Sequence, residues 1–246
     1  MITHPLAART AVLISAAGRG SRMGGDLPKQ WQALSGRTVL DRAIGAFQGF
    51  ARIVVVVHPD DMGRAIAELG GRVTLVAGRD TRSGSVRAGL ETLDGSGLGH
   101  VLIHDGARPL VAPPVIDAVL DALAAGAPAA APALAVTDAL WRGAVDRVTG
   151  FADREGLHRA QTPQGFRREV LDHLAAIDYG WTESYAQVAA ATRSPRAVRA
   201  VGTACARNPL PVVVPCHRVV KSDGGIGQYV GGVEAKAALL ELESAA

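Results

Sequence analysis

The sequence predicts a doubly wound, mostly parallel α/β sheet followed by a small, mostly helical part with a helix-turn-helix. Three observations predict it. Short runs rich in β-branched residues alternate with helical patterns through about the first two-thirds of the chain. A loop rich in glycine and arginine follows the first of those runs. After residue 164 the strand-like runs give way to helical ones.

Taken in order, AVLIS (11–15), RIVVVVH (52–58), RVTLVAG (72–78) and HVLIHDG (100–106) are short and nearly continuous in apolar residues. Runs of that kind are buried on both faces, as parallel strands are. Helical patterns fall between them near 39–47, 60–69, 85–93 and 114–124. Strands and helices in strict alternation give a sheet with helices on both sides and ligands at the carboxyl ends of the strands. Beyond residue 164, helices are expected at 167–177, 184–192, 197–207 and 234–243, with an apolar run, PVVVPCHRVV, at 211–220. The expected division is residues 1–165 for the α/β part and 166–246 for the helical part.

The chain has 246 residues, 48% hydrophobic and 20% charged, with a formal net charge of +3. That balance excludes a disordered chain. Residues 122–136, the most apolar stretch, are broken by Gly126, Pro128 and Pro132. They fall short of the ~20 apolar residues of a membrane span. No secretory leader is expected in the first residues. Two cysteines, Cys205 and Cys216, cannot build a disulfide framework, and a cytoplasmic setting is expected. The sequence pI near 9.2 permits anionic partners.

SAAGRGSRMGGDLPKQ (15–30) lies between a strand and a helix. Its glycines allow close backbone approach, and N–H groups in such a loop can cradle phosphate oxygens. Arg19, Arg22 and Lys29 add positive charge. Phosphoryl and nucleotidyl transfer need such a clamp, because negative charge spreads over the transferring oxygens. No Gly-Lys-Ser/Thr closes the loop, and the glycine spacing is wrong for a dinucleotide fingerprint. A structural turn is the plain alternative.

The whole string, with PKQ (28–30), GRDTRSGSVRAGL (78–90), HDGARPLV (104–111) and DREGLHRAQTPQGF (153–166), resembles the 2-C-methyl-D-erythritol 4-phosphate cytidylyltransferases of the non-mevalonate isoprenoid pathway. The resemblance implies that the phosphate of methylerythritol phosphate attacks the α-phosphate of CTP and pyrophosphate leaves. It implies that Arg22 and Lys29 stabilise the α-phosphate, and that Ala16, Ala17, Gly18, Asp80 and Ser85 hold the nucleotide. Asp105, Arg108 and Arg154 would hold the sugar phosphate, with help from a second subunit in a homodimer formed through this part. Mg²⁺ would bridge the triphosphate. Plainer roles stay open: Asp105 as a turn cap, Arg154 as a surface ion pair, Ser85 as the N-cap of its helix.

Three departures stand out. Ala139 occupies a place where the family usually has threonine, and Arg79 one where glycine is common. The family's strand, Lys-Xaa-Thr motif and closing helix beyond QTPQGF have no counterpart here. The expectation is an incomplete sheet with an uncovered edge or face, and with it poor folding or slow turnover.

In the second part Cys216 and His217 are adjacent, and Glu243 lies on the last predicted helix. A thiol acts as a nucleophile only as thiolate, which a neighbouring imidazole favours, and an acid can orient that imidazole. A buried, inert cysteine is the plain alternative. Cys205 and Cys216 do not have zinc-ligand spacing, and no metal site is expected. From residue 193 to 221 there are six cations and no Asp or Glu. Two short helices, 184–192 and 197–207, joined by a turn with Pro195, read as a basic helix-turn-helix suited to a phosphate backbone. A solvated basic face is the alternative.

SYAQVA (184–189), RAVRAVGTACARNPLPVVVPCHRVV (196–220), GGIGQYVGG (224–232) and KAALLELE (236–243) resemble the active domain of O6-alkylguanine-DNA alkyltransferases, also called methylated-DNA–protein-cysteine methyltransferases. The resemblance implies one-shot DNA repair without a cofactor, on double-stranded DNA carrying O6-alkylguanine. Arg199 would fill the gap left by the flipped base. Cys216 would take the alkyl carbon, His217, backed by Glu243, would take the thiol proton through water, and Tyr185 would donate toward the leaving guanine. Asn208 would brace the active-site turn and Tyr229 would line the pocket. The expected protein is thus a fusion of the two activities. The alternatives are a cytidylyltransferase with an inert tail, a non-catalytic DNA-binding module and an artificial chimera.

Overall fold

The structure, a computed structural model, describes residues 2–19, 27–144, 146–192, 195–196, 198–206, 211–212 and 214–244. A 3-10 turn at Pro5–Arg9 leads into β1 (Thr10–Ala16). A second, Lys29–Trp31, precedes the small hairpin β2 (Ala33–Leu34) and β3 (Arg37–Thr38). Then come α1 (Val39–Gly45), β4 (Arg52–Val57), α2 (Met62–Leu69), β5 (Thr74–Ala77), α3 (Arg82–Glu91), β6 (His100–Asp105) and α4 (Pro113–Ala124). Five strands follow, β7 (Ala129–Ala130), β8 (Ala133–Ala135), β9 (Leu140–Ala144), β10 (Arg147–Ala152) and β11 (His158–Ala160). After β12 (Gln164–Arg167) come α5 (Arg168–Ala176), β13 (Glu183–Ser184), α6 (Tyr185–Ala191), α7 (Val198–Ala206), β14 (Val219–Val220) and α8 (Val233–Ser244).

The main sheet has six strands in the order β5-β4-β1-β6-β12-β7. Strands β1, β4, β5 and β6 pair in parallel, and β12 runs antiparallel to β6 and β7. The strands alternate as a twice-covered sheet requires. Leu13, Val54, Val56, Val101 and Ile103 pack on one face with Val86 and Leu93 after β5 and with Val170, Leu171 and Leu174 of α5. Val12, Ile14, Val55, Val57 and Leu102 pack on the other with Leu40 and Ile44 of α1, Leu69 of α2, and Ile116 and Leu120 of α4. Each such side chain contributes roughly 1.5–3 kcal/mol of burial.

The expectation of an uncovered face is corrected here. Helix α5 closes the Leu13 face, and the apolar cluster continues without a break through Ile177, Val188 and Val201 to Cys216. The edge strands of the sheet are short: β5 has four residues and β7 two. Strand β12 carries the chain across the boundary expected at 165/166, so no linker separates the halves there.

Strands β7 to β11 were not expected. Their alanines and exposed side chains give no apolar run. Strands β9 and β10 form an exposed antiparallel hairpin with a register shift between Val148 and Gly150. In the second part α5–α8 fall within a residue or so of their predicted ranges, and α6 packs on α7. The turn of the expected helix-turn-helix falls on residues 193–194 and 197, outside the described residues. No described helix is long and apolar enough to cross a membrane.

Phe166 on β12 is 3% exposed and joins the sheet face to α5, whereas Phe151 on β10 is 78% exposed. Phe166→Ala is expected to lower unfolding free energy by about 3–5 kcal/mol, and Phe151→Ala by about 0.5 kcal/mol or less, in urea titrations.

Candidate active site

The carboxyl ends of β1, β4, β5 and β6 meet along one rim. Strand β1 ends at Ala16, and Ala17, Gly18 and Arg19 leave it, with Gly18 and Arg19 exposed. Two glycines let neighbouring turns press against this end. A Cβ on Gly78 would lie 2.6 Å from Ala17 Cβ, and one on Gly106 would lie 2.9 Å from Ala16 Cβ. Buried Gln30 donates to the carbonyls of Ala16 (2.9 Å) and Gly18 (3.1 Å). It thereby holds the 3-10 turn carrying Lys29, whose side chain is exposed, beside the same rim.

Ser85 is buried on the inner side of α3. Its hydroxyl accepts from Arg79 N (2.9 Å) and donates to Arg79 O (3.0 Å), which fixes the β5–α3 turn. It is not the N-cap: Thr81 is, accepting from Gly84 N at 2.9 Å. The Arg79 side chain turns along α3 to Glu91 (2.7 Å). Asp80 stays exposed on the turn.

Asp105 ends β6, half-buried, and is not merely a turn cap. Its carboxylate accepts from Arg82 (2.8 Å) and Arg108 (3.1 Å), and Arg108 also reaches Gln161. Behind them His104 is fully buried, with Thr162 Oγ1 and Arg108 O each 2.9 Å from one ring nitrogen. Arg154 donates to the Thr137 carbonyl rather than to a carboxylate.

The sequence grouped Arg19 with the phosphate clamp. The structure turns it away, to Asp60, Asp61 and His58 at the start of α2. Arg22 lies outside the described residues, as does Asn208. Arg82, Gln30, His104 and Thr162 were not singled out as site residues. A buried Gln or His inside a polar motif looks, in sequence, like any other polar residue.

A second cluster lies around Cys216, in a 3-10 turn at Cys216–Arg218. The thiol is fully buried, with Sγ 3.5 Å from the Cys205 carbonyl. His217 Nε2 is 2.8 Å from Glu243 Oε1. Arg218 binds both oxygens of Glu243, at 2.8 and 2.9 Å, and Gly180 N–H donates at 3.3 Å. Burial disfavours the carboxylate, but Arg218, His217 and Gly180 outweigh it and hold Glu243 down to about 2. An ionised Glu243 only accepts, so His217 Nε2 carries the hydrogen. His217 Nδ1 is buried with no hydrogen-bond partner among the described residues.

Tyr185 donates to Gln228 O (3.3 Å), and burial with both thiols nearby pushes its phenol up to about 12. Burial and Cys216 push Tyr229 to about 12 as well, its ring 6.3 Å from that of His217. Lys236, fully buried, donates to Val219 O and lies 5.6 Å over the Tyr185 ring; burial lowers its pKa. Arg199 is exposed on α7.

A parallel sheet in this strand order, with glycine-relieved turns and arginines at its carboxyl rim, defines an α/β protein of the nucleotidyltransferase type. The model of the 2-C-methyl-D-erythritol 4-phosphate cytidylyltransferase family matches residues 10–205. The chain belongs to that family. It is 61% identical over 161 residues to the "Bifunctional enzyme IspD/IspF" of Paracoccus denitrificans, covering 65% of this chain and 42% of that one. It is 57% identical over 168 residues to the 2-C-methyl-D-erythritol 4-phosphate cytidylyltransferase of Cereibacter sphaeroides, covering 66% and 74%. The chain thus spans about two-fifths of the length of the bifunctional relative. The solved cytidylyltransferase of Thermus thermophilus matches with a TM-score of 0.57 at 28% identity, covering 94% of this chain and 98% of that one. None of the relatives named here is an alkyltransferase.

The lowered Glu243 pKa has a defined consequence for stability. A carboxylate depressed from 4.5 to about 2 stabilises the fold above pH ~4.5, and that contribution is lost as pH falls toward 2. Its size is on the order of 3 kcal/mol. Glu243→Gln is expected to be less stable than the parent by that order at pH 7, and the gap should close between pH 4.5 and 2 in denaturant titrations.

Proposed function

We propose that the chain transfers a cytidylyl group from CTP to 2-C-methyl-D-erythritol 4-phosphate, releasing pyrophosphate. The observation that carries this reading is the rim itself: the end of β1, the Ser85-locked turn and the Asp105 cluster converge where an open α/β sheet takes its ligand. Ala16, Ala17, Gly18, Asp80 and Ser85 hold the nucleotide. Lys29, with Arg22, meets the charge that grows on the α-phosphate as the acceptor oxygen approaches and the P–O bond to pyrophosphate lengthens. Asp105, Arg108 and Arg154 hold the acceptor, and Arg82 steadies Asp105.

Mg²⁺ fits as a cation carried in on the triphosphate. Among the described residues no group of three His, Cys, Asp or Glu could cage a metal. Mg²⁺ usually binds through phosphates, water and one or two carboxylates, and Asp80 and Asp105 are two carboxylates on this rim. When bound, it neutralises triphosphate charge.

A homodimer fits the exposed hairpin. Trp141 and Phe151 pair edge to face at 6.5 Å on its surface, 64% and 78% exposed, an apolar patch suited to a second copy. A cytoplasmic setting fits two cysteines that are not joined in a disulfide.

A second reading is favoured by one observation, the buried His217–Glu243 pair next to Cys216. In it Cys216 accepts an alkyl group from O6-alkylguanine in DNA gripped by α6 and α7, with Arg199 in the base stack. His217 Nδ1 takes the thiol proton, the sulfur–carbon bond forms as the carbon–oxygen bond breaks, and Tyr185 protonates the departing guanine. Tyr229 lines the pocket and Asn208 braces the turn. The buried sulfur requires its cover to open before a base can reach it. The division at 165/166 into two functional parts belongs to this reading.

Pyrophosphate release from CTP and methylerythritol phosphate tests the first reading. Lys29→Ala should slow it by about 10²–10³-fold, and an unchanged rate would refute the role of Lys29. Incubation with O6-methylguanine oligonucleotide tests the second. A single methyl group on Cys216 by mass spectrometry, absent in Cys216→Ala, is the expected result; no transfer to the folded protein removes the reading.

A further inference from the structure

We propose that His104 is a positioning residue for the acceptor: through Thr162 and the Arg108 carbonyl it fixes the turn that carries Asp105 and Arg108. The inference rests on the cytidylyl-transfer reading and deepens it.

Both ring nitrogens of His104 are committed. A carbonyl can only accept, so Nε2 carries the hydrogen and donates to Arg108 O at 2.9 Å. Nδ1 is then the acceptor for the Thr162 hydroxyl, also at 2.9 Å. Thr162 Oγ1 accepts in turn from Asp105 N at 3.4 Å. The bonds run in one direction, from Asp105 N–H through the hydroxyl and the imidazole to Arg108 O. The two ends of the 105–108 turn are thereby tied to each other and to the segment just before β12.

The ring is fully buried and packs edge to face on Phe47 at 4.9 Å. Burial lowers its pKa and keeps the neutral form this network needs. The charged groups facing it are Asp105, which favours protonation, and the Arg108 guanidinium, which opposes it.

None of these bonds uses the side chains of Asp105 or Arg108. Those remain at the surface, where Asp105 bridges Arg82 and Arg108. A buried frame that orients an exposed ionic cluster has one functional output, the geometry of that cluster. The nucleotide-holding turn at Arg79–Ser85 has its own separate lock. Loss of the frame therefore falls on the acceptor and spares CTP. A ring serving only as packing would be replaced by phenylalanine without that effect.

The test is steady-state kinetics with each substrate varied in turn, on the full chain. His104→Phe and Thr162→Val are each expected to raise KM for methylerythritol phosphate by about tenfold or more while KM for CTP stays within about twofold. The double variant should be no worse than the more impaired single one, since both break one network. His104→Gln, which retains a donor for Arg108 O, should fall between. An acceptor KM equal to wild type in folded His104→Phe, or an equal rise in both KM values, overturns the proposal. If His104→Phe does not fold, Thr162→Val reads the same network with the loss of one hydroxyl. ¹⁵N-histidine NMR then reads the bond directly: the His104 Nδ1 signal should move in Thr162→Val, and a signal that does not move overturns the proposal. A wild-type protein that releases no pyrophosphate sinks the functional reading and this inference with it. An active wild type with insensitive variants sinks this inference alone.

Discussion

Strand β1 is hydrogen-bonded in parallel along both edges, to β4 from Ala11 to Ala16 and to β6 from Thr10 to Ser15. Everything at the rim depends on that double pairing. It brings the turns after β5 and β6 to the end of one strand, and it leaves them no room. Gly78 N–H donates to Val57 O at 2.7 Å and Gly106 N–H to Ser15 O at 2.9 Å. A side chain at either glycine would collide with Ala17 or Ala16. The small residues on both sides of each contact are one packing solution, and they leave Gly18 exposed just beyond the end of β1.

The same sheet explains how the second part is attached. A parallel sheet has to be covered on both faces. One face is covered by α1, α2 and α4, and the other requires α5, which follows β12 directly. The apolar cluster then passes from α5 to α6, α7 and the Cys216 turn. The thiol sits at the far end of a core that begins at Leu13. Continuity of packing of this kind means that loosening one end weakens support for the other. The Arg218–Glu243–His217 network is the polar counterpart at that end, with each carboxylate oxygen bonded twice.

The sequence made β1, β4 and β6 legible because their residues are apolar at nearly every position, which few other elements are. It also made the rim legible as a place, since Gly, Arg and Asp gather where those runs end. It did not reveal β7 to β11. Alanines at 129–135 carry no strand signal, and Trp141 and Phe151 face each other across a hairpin that joins neither apolar cluster of the sheet. The roles of individual polar residues were less legible still. Arg19 stands in a phosphate-binding context, yet three groups on the neighbouring element claim it. For Ser85 the sequence left an N-cap open beside a nucleotide contact; Thr81 is the cap, and Ser85 locks the turn. For Arg19 a tertiary partner, invisible to local pattern, decides the role; for Ser85 it is a backbone bond across its own turn.

The central claim is that the nucleotide sits at the carboxyl rim around β1. Backbone amide NMR during a CTP titration in Mg²⁺ tests it most directly. The largest shift changes should map to Ala16, Ala17 and Gly18 and to the turn from Gly78 to Ser85, saturating together with one dissociation constant. Saturable changes confined to α6–α8, or to the opposite end of the sheet around Arg52 and Thr74, would contradict it.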